Sequence, residues 1–183
     1  MGSQKLVSIN LVELLSDTSR LTAINAADIA IEKKEIIPDL IKLTFTDKYP
    51  ISLRAANTIE KIDLQVPSLI SPYYQKILNA LPSFKVEGVR RCLLKIFTRH
   101  IELNDEKKIC LLINHCFAFI SSPEEPIAIK AYSLQILYQI SNKEPDLKNE
   151  LIFAIQNQMD KNSQTFKNLG NKILKKLYKE TSI

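Results

Sequence analysis

The chain has 183 residues, 45% of them hydrophobic, with three glycines and no tryptophan. This composition excludes a disordered chain and a turn-rich β architecture, and it leaves enough apolar surface to bury a core. No apolar run approaches the roughly 18 residues of a membrane span, and the N-terminus lacks the basic-then-apolar pattern of a secretory signal; a cytoplasmic protein without membrane contact is expected.

In chain order, a short leading helix is expected over Lys5–Leu15, closed by Ser16-Asp17-Thr18-Ser19. A second runs from Ser19 or Arg20 to Lys34, with Leu21, Ile24, Ala27 and Ile31 as its apolar stripe. Ile36–Phe45 follows, with Pro38 near its start, where a missing N–H costs no helical bond. Pro50 opens the next helix, whose inward face is assigned to Leu53, Ala56, Ile59 and Ile62. Its partner begins near Ser71, a plausible N-cap before Pro72, and carries Tyr73, Ile77, Leu78 and Leu81. A helix over about Lys85–His100 buries Val89, Leu93, Ile96 and Phe97. The next starts at Asn104 or Asp105 and shows a clean stripe of Ile109, Ile113, Cys116, Phe117 and Ile120. Ser122 with Glu125 three residues on reads as a capping box, with Pro123 in the first turn. Ala128–Ile140 places Ile129, Tyr132, Ile136 and Ile140 inward, and Leu147, Leu151, Ile155 and Met159 mark its partner. A last helix from about Ser163 to Lys179 is apolar at Phe166, Leu169, Ile173, Leu174 and Leu177 and lysine-rich elsewhere, as the end of a stack requires.

One pattern recurs: an apolar residue, a base, then small residues, at Leu53-Arg54-Ala55-Ala56, Val89-Arg90-Arg91-Cys92 and Ile129-Lys130-Ala131. The bases at 54, 90 and 130 lie 36 and 40 positions apart, the period of a helical-repeat array. With the starts Pro38-Asp39-Leu40, Pro67-Ser68-Leu69 and Pro145-Asp146-Leu147, this resembles HEAT or armadillo-like repeats over nearly the whole chain. The expected fold is all-α: a superhelix of stacked antiparallel helix pairs, about nine or ten helices in one domain over 1–183. Core repeats fall at about 49–160, with capping helices at both ends. The resemblance implies a concave face lined by second helices that binds another protein or peptide. The residues so implicated are Tyr73, Tyr74 and Lys76, then Lys107, Lys108 and His115, then Asn149, Gln156 and Asn157.

Charge points to a competing partner. The net charge of +5 is uneven. Lys85, Arg90, Arg91, Lys95 and Arg99 stand against Glu87, and six lysines between 161 and 179 stand against Glu180. Arg91, Lys95 and Arg99 at i, i+4 and i+8 make a basic ridge that could grip nucleic-acid phosphates through counterion release. A solvated helix face is the simpler account of the same residues.

No catalytic constellation appears. Ser121-Ser122 superficially matches the serine loop of the fumarase superfamily, but the following Pro-Glu-Glu-Pro and the missing Asn-Pro favour a cap. His115 and Cys116 are adjacent, so their side chains diverge by about 100° and cannot easily share an ion. Cys92, Cys110 and Cys116 read as reduced core thiols. No metal, cofactor or small-molecule substrate is expected, and the chain reads as a non-enzymatic scaffold or adaptor.

Overall fold

A computed structural model describes residues 10–100 and 105–181. Among these residues it holds ten α-helices, four short 3₁₀ turns and no strand. They are α1 (Leu11–Leu14), α2 (Arg20–Glu32), α3 (Ile37–Phe45), α4 (Ile51–Gln65), α5 (Tyr74–Ala80), α6 (Glu87–Phe97), α7 (Glu106–Ser121), α8 (Ile127–Ser141), α9 (Leu147–Gln158) and α10 (Gln164–Thr181). Residues 5–9 of the leading helix expected over Lys5–Leu15 lie outside the described residues; within the remainder a single turn, α1, is helical. The described residues cluster into two compact units. One runs up to Tyr74 and includes Phe84–Cys92; the other comprises Gln75–Ser83 and the chain from Leu93 onward.

In the first unit α4 packs against both α2 and α3. Helix α2 starts where the Ser19 hydroxyl accepts from the Thr22 N–H at 3.1 Å, satisfying one of the orphan donors of a first turn. Its buried face is Ala23, Ala26, Ala27 and Ala30; of the expected stripe only Ala27 is buried, while Leu21 is 67% exposed and Ile24 and Ile31 are half-buried. The alanines repeat at i, i+3, i+4 and i+7, the same helical period as the larger residues but another face. Since α4 buries Ala55 and Ala56, small side chains on both partners let the two axes come close. Ala56, Ile59 and Ile62 face inward as expected, while Leu53 is half-buried.

Two side chains tie distant parts of this unit together. Arg54, the base of the first repeated pattern, donates from Nη1 to the Leu15 carbonyl at 3.0 Å, where α1 ends. Asp47 sits in the left-handed region at φ 51°, and its carboxylate accepts from the N–H groups of Lys85 at 2.6 Å and Val86 at 3.0 Å. It thus supplies a cap at the start of α6 from a position 38 residues upstream. Asp47→Ala should lower the unfolding free energy by about 2 kcal/mol, because two charge-assisted bonds are lost and a Cβ residue without local bonding is left at positive φ. Asp47→Asn keeps an acceptor and tolerates that φ, so its denaturation midpoint should fall between wild type and Asp47→Ala. Equal midpoints for all three would remove the capping role.

In the second unit α7 packs on α8 and α9, and α10 packs on α8 and α9. Asp105 caps α7 by accepting from the Lys107 N–H at 3.0 Å, as expected; Asn104 lies outside the described residues. The buried face of α7 is Leu112, Cys116, Phe119 and Ile120, whereas Ile113 and Phe117 are half-buried, which corrects the expected stripe. The capping box is corrected as well: Ser122 ends α7, and α8 begins at Ile127 behind Pro126 with no side-chain cap. In α10 the inward set is Phe166, Gly170, Ile173, Leu174 and Leu177. A Cβ at Gly170 would lie 2.9 Å from Met159 Cε and 3.0 Å from Ile155 Cγ2, so glycine is what lets α10 approach α9 this closely.

Cys92 and Cys116 are core residues, but Cys110 is exposed, against expectation. Burial pushes the Cys116 thiol up to about 12, which removes it as a nucleophile near neutral pH. Among the described residues no helix is long and apolar enough to cross a membrane.

Candidate functional site

The geometry that most resembles a binding surface lies in the second unit, where the second helices of two successive pairs, α7 and α9, pack side by side. The core of α9 needs only Leu151 and Ile155, which are fully buried. Phe153 falls between them in sequence and therefore on the opposite side of the helix, where it is 66% exposed. It borders a groove of about 490 Å³ whose other apolar walls are Phe117 and Ala154. Glu150, Asn157 and Lys161 also line it. An apolar floor with polar groups of both signs matches the composition of a protein-docking pocket better than that of a phosphate-binding one.

The residues expected at a second-helix face fare differently. Asn149, Gln156 and Asn157 are exposed on α9, and Asn157 lines the groove. Gln156 donates from Nε2 to the Tyr178 hydroxyl at 2.7 Å. On α7, Lys107 is exposed, and Lys108 is half-buried with its ammonium 3.5 Å from Asp105. His115 is half-buried, with Nε2 3.0 Å from the Leu78 carbonyl and its ring stacked on Phe119 at 6.3 Å. Lys76 is exposed and Tyr73 half-buried. Tyr74 is buried, and its hydroxyl donates to the buried Asp63 carboxylate, so it is a core residue and not a surface one. A phenol buried with its hydroxyl satisfied by a carboxylate is held by packing at both ends.

Burial is the main cause that lowers the pKa of His115, with the bond to the Leu78 carbonyl acting the other way. The folded state therefore binds fewer protons at this ring than the unfolded state does. Its contribution to stability is intact above the unfolded value of 6.5 and is lost as pH falls through that value toward the lower folded one. Urea midpoints of wild type should drop between about pH 7.5 and 5.5 by more than those of His115→Gln. Parallel pH profiles would exclude this residue as the source.

Of the basic ridge, Lys85 and Arg91 are exposed, while Arg90, Lys95 and Arg99 are half-buried. Arg90, Lys95 and Arg99 each already interact with another group of the protein. The Lys85 backbone N–H is taken by Asp47. Lys130, the base of the third repeated pattern, is 2% exposed; its ammonium donates to Asn162 Oδ1 and lies 6.0 Å from the Phe166 ring centroid. The three bases of the repeated pattern therefore share a setting: Arg54, Arg90 and Lys130 are each buried or half-buried and engaged within the protein, whereas Arg91, the neighbour of the second, meets solvent.

The groove residues Phe153, Glu150 and Lys161 are absent from the sequence-derived site. Phe153 was legible in principle, as an aromatic out of phase with the 147, 151, 155, 159 stripe of its own helix.

Consecutive helices joined by short connections and packed pairwise, with no strand among the described residues, define a helical-repeat protein. The HEAT repeat domain matches residues 11–177, and the chain belongs to that family. No curated protein and no solved structure gives a significant match to it. The chain is thus a helical-repeat scaffold of a kind that commonly serves protein interaction.

Proposed function

We propose that this HEAT-repeat chain is a non-enzymatic scaffold that binds another protein across the second helices α7 and α9, with Phe153 as the central contact. The observation that carries this reading is Phe153 itself, a large aromatic left outside the core at the edge of an apolar groove. Aromatic residues, phenylalanine among them, are enriched at protein interfaces relative to the rest of the surface. Asn157, Glu150 and Lys161 line the same groove and supply polar contacts that fix orientation more than they add affinity; Gln156, Lys107 and Lys108 lie on the same two helices outside that lining and are outer contacts of the proposed face. Engagement of Arg90, Lys95 and Arg99 within the protein favours this reading over phosphate binding by the ridge 85–99. The family match running without a break over 11–177 supports a single array, with core repeats at about 49–160 between capping helices.

The test is crosslinking mass spectrometry on cell extract with wild type, Phe153→Asp and Arg91→Glu. A partner crosslinked near α9 in wild type should be lost with Phe153→Asp and kept with Arg91→Glu. Retention of every partner by Phe153→Asp, with the helical circular dichroism signal unchanged, would overturn the assignment.

A further inference from the structure

A second groove lies between α8 and α10 and so involves different helices from those that carry Phe153. It measures about 440 Å³ and is floored by Ala131, Leu169 and Ile173, with Tyr132 and Tyr138 from α8 in its walls. Lys172 and Lys176 line it from α10. They stand four residues apart, hence one above the other about 6 Å apart on one helix face, and both are exposed. Lys175 and Lys179 are exposed on the same helix.

The charge of this lip is only partly offset: Lys176 attracts the Glu180 carboxylate one turn on, and Lys172 has no acid within a turn of it on α10. The nearest acid on α10 is Glu180, and it is occupied: Oε1 accepts from the Tyr138 hydroxyl at 2.8 Å, and Oε2 lies 3.0 Å from the Lys148 ammonium. Lys176 is held with its ammonium 4.9 Å from the Tyr138 ring centroid, a cation–π contact that fixes the charge at the groove mouth before any ligand arrives. Gln139 also lines the groove from α8. A ligand that brings apolar side chains and regularly spaced negative charge matches these features.

We infer that the α8–α10 groove docks an acidic amphipathic helix of a partner protein. Its apolar ridge would lie over Leu169 and Ile173 between the two tyrosines, and carboxylates one turn apart would pair with Lys172 and Lys176. Packing a ridge of side chains into a groove between two helices is how an amphipathic helix is ordinarily captured. Single-stranded nucleic acid would also meet tyrosines and lysines, but it needs open ring faces for stacking. Here one face of Tyr138 is covered by Lys176 and its hydroxyl is tied to Glu180.

The experiment pans random peptides of about 12 residues, roughly three helical turns, on the immobilised full chain, with counter-selection on K172E/K176E. Selected peptides should carry Asp or Glu four residues apart beside an apolar stripe. By fluorescence anisotropy they should bind K172E/K176E at least about ten-fold more weakly than wild type, with affinity falling as salt is added. Tyr132→Ala should weaken them too, and Phe153→Asp should leave them unchanged, which separates this groove from the α7–α9 face. Should the charge-reversed variant lose its helical signal, K172Q/K176Q takes its place. Peptides without acidic bias, or peptides that bind both proteins equally, would overturn the inference. So would an oligothymidylate that binds more tightly than the peptides and competes with them for the same lysines.

Discussion

Replacing Phe166 with alanine is expected to lower the unfolding free energy by about 3–5 kcal/mol, the range for truncating a fully buried aromatic. Phe166 stands at the start of α10 with no exposed surface, and its loss has two consequences. The first is a cavity that rigid helices on either side cannot fully close. The second concerns Lys130, which is buried on α8 with its ammonium near that ring and bonded to Asn162. Burial lowers the Lys130 pKa, so the charged form is already disfavoured here, and removing the ring takes away one of the few groups that attract it. Phe153→Ala on α9 provides the control, since an exposed side chain of identical type should change stability by no more than about 0.5 kcal/mol. Urea midpoints of the two variants measure the contrast. Equal shifts would mean that α10 is not anchored through Phe166.

Helix positions were legible because the signals that start and stop a helix are local. Ser19 and Asp105 cap α2 and α7 with their own hydroxyl or carboxylate, a few residues from the donors they satisfy. The lysine-rich segment near the C-terminus reads as a helix with one wet face, and α10 occupies 164–181 as such. Which face each helix buries was less legible. In α2 the alanines and the larger residues share one period, and only the presence of α4 decides that the alanines go inward. The capping box at Ser122 failed for a related reason: Ser122 follows α7 directly, and its N–H closes that helix by donating to the Ala118 carbonyl at 3.0 Å. The same residue cannot also adopt the role of a start for α8 five positions on.

Long-range polar contacts were not legible at all. Nothing near Asp47 in sequence announces that its carboxylate will hold the N–H groups of Lys85 and Val86, and nothing near Lys130 announces Asn162. The site shows the same division. Asn149, Gln156 and Asn157 follow from placing α9 as a second helix, whereas Tyr74 was misplaced because the sequence does not reveal that Asp63, 11 residues earlier, is buried and takes its hydroxyl. A carboxylate inside the core demands such a donor, and the tyrosine is drawn inward to supply it.

The face of α7 gives the second large expected effect. Leu112→Ala should cost about 2–5 kcal/mol, because Leu112 has no exposed surface, and Ile113→Ala should cost less than half as much. The two positions are neighbours of similar volume, so the comparison isolates orientation from side-chain chemistry. Periodicity alone favours Ile113, through the run Ile109, Ile113, Cys116, Phe117 and Ile120. That run is misleading because α7 is apolar on more than one side: it packs on α8 and α9, and Leu112, Phe119 and Ile120 point into the core while Phe117 turns to the groove beside Phe153. A helix with two packed neighbours spreads its apolar residues over a wide arc, and its centre cannot be read from a 3.6-residue period. The pair Phe119→Ala and Phe117→Ala should repeat the result, with the larger loss at Phe119, which is buried and carries the stacked His115 ring. The reverse order in both pairs would rotate α7 by about 100°, bury Phe117 and close the groove. The docking role of Phe153 would then lose its pocket, so two stability measurements on α7 bear directly on the binding surface next to it.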